Sequence, residues 1–304
     1  MSSFEGSGQG HNGEGSDKRR HAVKRSSPAG RRGWRDLDRR LISVLGRITE
    51  RDRALCRLLD DHRVLTSPQV TDAFFSGERR ARTRLLELYE LDILERFRIR
   101  TMGNPGPFHW LLGPLGAALV AAEAGIDVSD LDWRQGLIND LAASQRLGHL
   151  TGINGFFTSL MRSERTENDG RLEEWWSERR CGREWGDVIR PDGFGVWTGS
   201  DGYLPFLLEH DNGTERLARL AAKLDGYDAF DKATGHINWV LFSFPSARRE
   251  REARKVLQHP SVLVATSART SGFAPAAEVW LPVKSGGPRL RLIQLAGRHG
   301  GGTE

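Results

Sequence analysis

A chain of 304 residues with 38% hydrophobic and 28% charged side chains has the make-up of a water-soluble protein with two modest cores. No apolar run approaches the roughly 20 residues that a membrane-spanning helix needs, so no membrane partner is expected. The formal charge of +5 is uneven: residues 1–40 hold ten Lys/Arg against five Asp/Glu, and the remainder balances at 35 against 35.

That Gly/Ser/Arg-rich head, residues 1–40, has too few apolar side chains to fold and reads as a disordered basic arm. Such an arm adds salt-sensitive attraction to phosphates, or serves only as a solubilising tail. It lacks the apolar stretch of a secretion signal. Cys56 and Cys181, the only cysteines, make neither a disulfide framework nor a zinc site. Both features fit a cytoplasmic protein.

Residues 41–125 read as a winged helix-turn-helix. Thr49 caps a first helix with Asp52 three places on, and Leu55, Leu58 and Leu59 recur at helical spacing to about His62. Ser67-Pro68-Gln69 opens a second helix that turns Val70, Ala73 and Phe74 inward, and Gly77 ends it. A third helix, Glu78 to Tyr89, buries Leu85, Leu88 and Tyr89. Ile93–Arg100 and Phe108–Leu112 then form a hairpin around the turn cluster Met102 to Pro107. The third helix carries Arg79, Arg80, Arg82 and Arg84 in its first half, where a recognition helix meets base edges and phosphates of double-stranded DNA. A dimerisation module with an Arg-rich surface is the other use of the same pattern.

An Ala-rich helix, Gly113 to Gly125, and a connector over 126–145 lead to an α/β domain over 146–295, with a flexible tail at 296–304. In that domain the sequence predicts a helix over His149–Met161, strands over Leu172–Arg180, Val188–Trp197 and Tyr203–Asp211, and a helix over 214–227. Ile237–Phe244 is nearly continuous in apolar residues, as a strand covered on both faces should be. A charged helix over 246–257 and strands at Val262–Ala265 and Val279–Val283 complete a mixed α/β sheet.

One constellation there can carry chemistry. Glu209 and Asp211 are two apart on a strand and share a face, and Asp192 lies across a hairpin from them. Three converging carboxylates repel unless a cation intervenes, and hard oxygen ligands suit Mg²⁺ or Mn²⁺. Asp followed by Glu-x-Lys on the next strand is the pattern of PD-(D/E)XK nucleases, which share a restriction-endonuclease-like fold. Here Asp211 stands where lysine is expected, and Lys223, one of six lysines, is a substitute from the following helix. A plain turn at Pro191-Asp192-Gly193 and solvent-facing acids would explain the same residues. No P-loop pattern occurs, so no nucleotide cofactor is expected. No paired histidine metal motif or well-placed tyrosine nucleophile of a relaxase occurs either.

Several stretches together resemble the actinobacterial replication-relaxation family associated with plasmids and mobile elements. They are Leu65-Thr66-Ser67-Pro68-Gln69-Val70, Arg84 to Tyr89, His149 with Asn154, Glu174-Trp175-Trp176-Ser177-Glu178, Arg190-Pro191-Asp192-Gly193, Glu209 to Glu215, and Lys223-Leu224. The resemblance covers roughly residues 48–285. It implies a role in replication or processing of mobile-element DNA, with replication or transfer proteins as partners. Two functions fit: a DNA-binding accessory protein, or a metal-dependent endonuclease that the winged helix targets to DNA. The distance of Lys223 from the carboxylates separates them.

Overall fold

The computed structural model describes residues 28–100, 105–167, 170–186, 188–200, 202–270 and 272–298. The outer part of the basic head, the hairpin tip at 101–104 and the last residues of the tail lie outside the described residues. The fold is mixed α+β, with one sheet of three strands and one of six among the described residues.

The chain enters through α1 (Pro28–Val44), a helix that reaches into the segment whose composition reads as unfolded. Leu37, Leu41 and Val44 explain this, since their spacing makes a stripe that packs on the first core. Helix α2 (Glu50–His62) begins at a full capping box, with Thr49 and Asp52 each accepting from the other's backbone N–H. After β1 (Leu65–Thr66) comes α3 (Ser67–Phe74). Its cap is Thr66 rather than Ser67, because Gln69 closes a second capping box on Thr66. Helix α4 (Glu78–Glu90) then buries Ala81, Leu85 and Leu88. Tyr89, expected inside, is 40% exposed and instead lies under the Arg96 guanidinium.

Strands β2 (Leu94–Arg100) and β3 (Pro105–Leu112) form an antiparallel hairpin, and β1 adds to β3 to give the order β1-β3-β2. Helix α5 (Pro114–Ala124) starts on proline and stops at Gly125 in the left-handed conformation, φ 66°. The connector holds a 3₁₀ turn (Val128–Asp130) and α6 (Leu137–Ala143), whose Leu137 and Leu141 pack with Val64 and Leu111.

Helix α7 (Leu147–Glu167) joins the two sheets. Gln69 donates to the carbonyl of Thr151, and Asn154 donates to the carbonyls of His62 and Val64 at 3.2 and 2.7 Å. The six-stranded sheet comprises β4 (Arg171–Ser177), β5 (Gly193–Gly199), β6 (Gly202–His210), β7 (Trp239–Phe244), β8 (Leu263–Ala268) and β9 (Leu281–Pro282), adjacent in that order. The strand expected over Leu172–Arg180 ends at Ser177, which caps α8 (Glu178–Trp185) by accepting from Arg180 N. Strands β4, β5 and β6 run antiparallel, whereas β6, β7 and β8 are parallel. Parallel neighbours need crossovers, supplied by α9 (Leu217–Thr234) and α10 (Ala247–Arg254).

Side chains alternate across β6. Leu204, Phe206 and Leu208 face α7 with Ile153, Phe156 and Phe157, while Leu207 faces α9 with Leu220, Leu224 and Tyr227. A 3₁₀ turn (Ile293–Arg298) buries Leu295 in the first of these cores and takes in the first residues of the segment read as a flexible tail. Among the described residues no helix is long and apolar enough to cross a membrane.

Candidate functional site

Two places collect the residues singled out in the sequence. The first is the outer face of α4. Arg79, Arg80 and Arg82 are exposed there, and among the described residues none of them forms an ion pair. Arg51 from α2 and Phe75 line a groove of about 480 Å³ beside Arg79 and Arg80. The hairpin follows α4 directly and adds Arg98, exposed, over Phe108 at 3.8 Å.

Arg84 is different from its three neighbours. Its guanidinium donates to both oxygens of Asp52 at 3.0 and 2.6 Å, to Glu87 and to the carbonyl of Arg47. Asp52 is 1% exposed, so this pair ties α4 to α2. Burial alone would raise the Asp52 pKa, but the bonds from Arg84 and Thr49 hold it below the ordinary carboxylate range. The expected DNA contact at Arg84 is therefore a fold contact, which its separation of 32 residues from Asp52 hides in the sequence.

The second place is the C-terminal end of β6. Asp192 precedes β5 and binds the carbonyl of Leu208 through its backbone N–H at 3.0 Å. One of its carboxylate oxygens meets His149 Nε2 at 3.0 Å and the other accepts from His210 N at 2.7 Å. Glu209 turns to the α9 side, where Lys223 Nζ donates to Oε2 at 2.6 Å and the Tyr227 hydroxyl donates to Oε1. Asp211 lies past the strand end; Arg249 donates to it at 2.8 Å and Gly213 N at 3.0 Å. His210 points the opposite way, edge-on to His149 with ring centroids 5.7 Å apart.

The electrostatics follow from burial and these partners. Burial, reinforced by the Asp192 charge, pushes the Glu209 pKa up to about 7 despite Lys223 and Tyr227. His149 is raised by its bond to Asp192. Burial opposes ionisation of Asp192, but the His149 bond and charge outweigh it and hold the carboxyl low. His210 is driven down to about 3 by burial and the Arg269 charge, so it is neutral near pH 7.

Asp192 and Glu209 are thus neighbours with Lys223 beside them, while Asp211 departs from the expected trio. Its carboxylate is drawn to Arg249 on α10, a partner 38 residues away. All six oxygens of the three carboxylates are already engaged by the protein. Among the described residues no group of three or more His, Cys, Asp or Glu side chains is arranged to hold a metal ion. Of the three carboxylates expected to hold Mg²⁺ or Mn²⁺ together, Asp211 is thus turned away to Arg249, whereas Asp192 and Glu209 stay side by side at the end of β6.

Tyr227 as a polar partner is not foreseen from the sequence, since its helical position marks it only as apolar. Nor are Arg249 and Arg269, which reach the strand end from later elements; Arg269 donates to the carbonyl of Asp211 at 2.6 Å. His149, which the sequence offers either as a member of this site from the preceding helix or as a structural or surface residue, reaches Asp192 from α7 at 3.0 Å.

A family model described as replication-relaxation matches residues 56–240, more than half of the chain. Within that match lie α4, the hairpin, and the His149, Asp192, Glu209, Asp211, Lys223 and Tyr227 cluster, whereas Asp52, Arg249 and Arg269 lie outside it. No curated protein and no solved structure matches the chain.

Proposed function

The chain belongs to the replication-relaxation family, and from that premise we propose that it binds duplex DNA through α4 and the β2–β3 hairpin in replication or relaxation of that DNA. The N-terminal elements are read as a winged helix-turn-helix, with α4 as the recognition helix in the major groove and the hairpin as the wing. One observation carries this reading. Arg79, Arg80 and Arg82 stand exposed on the first half of one helix without acidic partners among the described residues, and Arg51 shares a groove with Arg79 and Arg80. An arginine cluster of this kind on a rigid helix is costly by self-repulsion and is relieved by phosphates. Plasmid or other mobile-element DNA, and replication or transfer proteins, are the partners this reading expects.

Fluorescence anisotropy with a labelled duplex, at several salt concentrations, tests it. Replacing Arg79, Arg80 and Arg82 with Ala should weaken binding and flatten the salt dependence by about 0.9 in slope for each phosphate no longer neutralised. Unchanged affinity and slope would mean that α4 does not face DNA.

A second reading, hydrolysis of a DNA phosphodiester, is favoured by the Lys223–Glu209 contact beside Asp192. The helix-strand order α7, β4, β5, β6, α9, β7 and the place of Asp192 just before β5 agree with the nuclease pattern seen in the sequence. Incubation of supercoiled plasmid with Mg²⁺ or Mn²⁺ tests it: nicking by the wild type and its absence in Asp192→Asn and Lys223→Met are expected. A plasmid that stays supercoiled leaves the accessory reading alone.

A further inference from the structure

Between the two sheets lies a cleft of about 440 Å³, lined from α2, α7, α8 and the segment before β5. That volume is within the range of about 300–1,000 Å³ usual for small-molecule sites. Five arginines line it, Arg63, Arg146, Arg179, Arg183 and Arg190, against three acids. Two of the acids are already neutralised: Glu178 pairs with Arg146 at 2.9 Å and Asp192 with His149 at 3.0 Å. Asp61 is the third. Arg146 is spent on Glu178 and Arg179 on Asp132, so Arg63 and Arg183 supply the positive charge of the wall that outweighs Asp61.

Its floor holds unmatched polar atoms. Asn154 is 1% exposed and lines the cleft, and its Oδ1 has no partner among the described residues although its amide is held by two carbonyls. Arg179 is clamped by Asp132 and the carbonyl of Asp60, yet its buried Nε donates to nothing among the described residues. A buried acceptor and a buried donor without partners are each costly, and a ligand group that reached them would recover that cost. Arg63 adds a strained backbone at the rim. It sits at φ 67°, ψ −45°, closing a three-residue turn in which Val64 N donates to the carbonyl of His62 at 2.8 Å. A non-glycine residue holds such a turn at a cost, and strain of this kind concentrates at binding sites.

We propose that this cleft binds a nucleotide unit, with the phosphate on Arg63 and Arg183 and a donor of the base or sugar on Asn154 Oδ1. The same chemistry is offered by a free nucleoside monophosphate and by a phosphorylated end of a single DNA strand. The site is distinct from the outer face of α4 and does not depend on it.

Equilibrium dialysis of the full chain tests the proposal with labelled deoxynucleoside 5′-monophosphates and with a short single-stranded oligonucleotide carrying or lacking a 5′-phosphate. Saturable binding is expected, weakened at least about tenfold by Arg183→Ala, a drop typical of removing one charged hydrogen bond. Arg183 is exposed, so this variant should melt like the wild type. Arg63→Gly should relieve the turn, raise the melting temperature and still weaken binding, a combination that a purely structural residue would not give. Replacement of Arg79, Arg80 and Arg82 should leave binding in the cleft unchanged. Tighter binding of the phosphorylated oligonucleotide identifies a strand end as the source, and equal binding of the monophosphate identifies the free nucleotide. The proposal is overturned if no probe binds saturably, if Arg183→Ala binds as the wild type does, or if inorganic phosphate competes as well as the nucleotide.

Discussion

Lys223 Nζ lies 2.6 Å from Glu209 Oε2, although the two residues are 14 apart and on different elements. The crossover through α9 makes this possible: the helix leaves the end of β6 and runs back along the same face that Glu209 uses. Lys223 also lies 3.7 Å from Glu215, so one partly exposed ammonium serves two carboxylates. The buried end of that arrangement is Tyr227, whose hydroxyl closes on the other Glu209 oxygen and whose own pKa is pushed well up by burial.

Glu209 should make the protein less stable as pH rises. Its pKa of about 7 in the fold stands above the ordinary value of 4.5, so the folded state holds more protons between those limits. Its contribution is fully present below about pH 4.5 and is lost as pH rises through about 7. His149, also raised, acts in the same sense above pH 6.5. His62 and His210, each lowered from 6.5 to about 3, act oppositely, and their share of stability is lost as pH falls below 6.5. Thermal melts from acid to mildly alkaline pH should therefore peak near neutrality or just below. Glu209 opposes the rise that His62 and His210 cause, so Glu209→Gln should steepen the rise in melting temperature between about pH 4.5 and 7. A rise of unchanged steepness in this variant would mean that Glu209 ionises normally.

Arg84 and its neighbours on α4 should separate in denaturant titrations. Arg84→Ala leaves Asp52 buried with only Thr49 to support it, which should cost about 3–5 kcal/mol. Arg82→Ala removes an exposed side chain and should stay within about 0.5 kcal/mol of the wild type. Equal effects would contradict the division of α4 into a structural and a DNA-facing part.

Gly152 allows α7 to pass over His210. A Cβ at this position would clash with His210 Nε2. Gly152→Ala, which in an exposed helix would stabilise by about 1 kcal/mol, should here destabilise by about 1–3 kcal/mol. A rise in the denaturation midpoint would show that the ring can move aside freely.

Both cysteines should be inert in the native state. Cys56 and Cys181 are fully buried, and burial pushes each thiol up to about 12. A thiol-reactive dye should modify them only as fast as the protein unfolds. Rapid stoichiometric labelling without denaturant would refute this.

Much of the N-terminal fold is legible in the sequence because its signals are local. The Thr49 box, the proline start and Gly125 stop of α5, and the stripe of α4 all depend on residues close together in the chain. The buried run of β7 is legible as well, from its nearly continuous apolar stretch, and so is Lys223 as the lysine that the following helix brings to the carboxylates. What stays hidden depends on distance in the chain. Arg84 cannot be told from Arg82 without Asp52, and Asp211 cannot be removed from the carboxylate group without Arg249. Helix α1 is hidden because the average composition of the head outweighs the stripe of Leu37, Leu41 and Val44. The cleft between the sheets is invisible for a further reason: its arginines come from separate segments and none forms a pattern alone.

The central claim, that α4 presents the chain to duplex DNA, is tested most directly by salt-dependent anisotropy on three proteins. These are the wild type, the Arg79/Arg80/Arg82→Ala variant and a chain lacking residues 1–27, cut there so that α1 and its Leu37 packing remain. The triple variant should bind more weakly than the truncated chain, with a salt slope that falls by about 0.9 for each phosphate no longer neutralised. A triple variant that binds with the wild-type affinity and slope, or a truncated chain that binds more weakly than the triple variant, would contradict the claim.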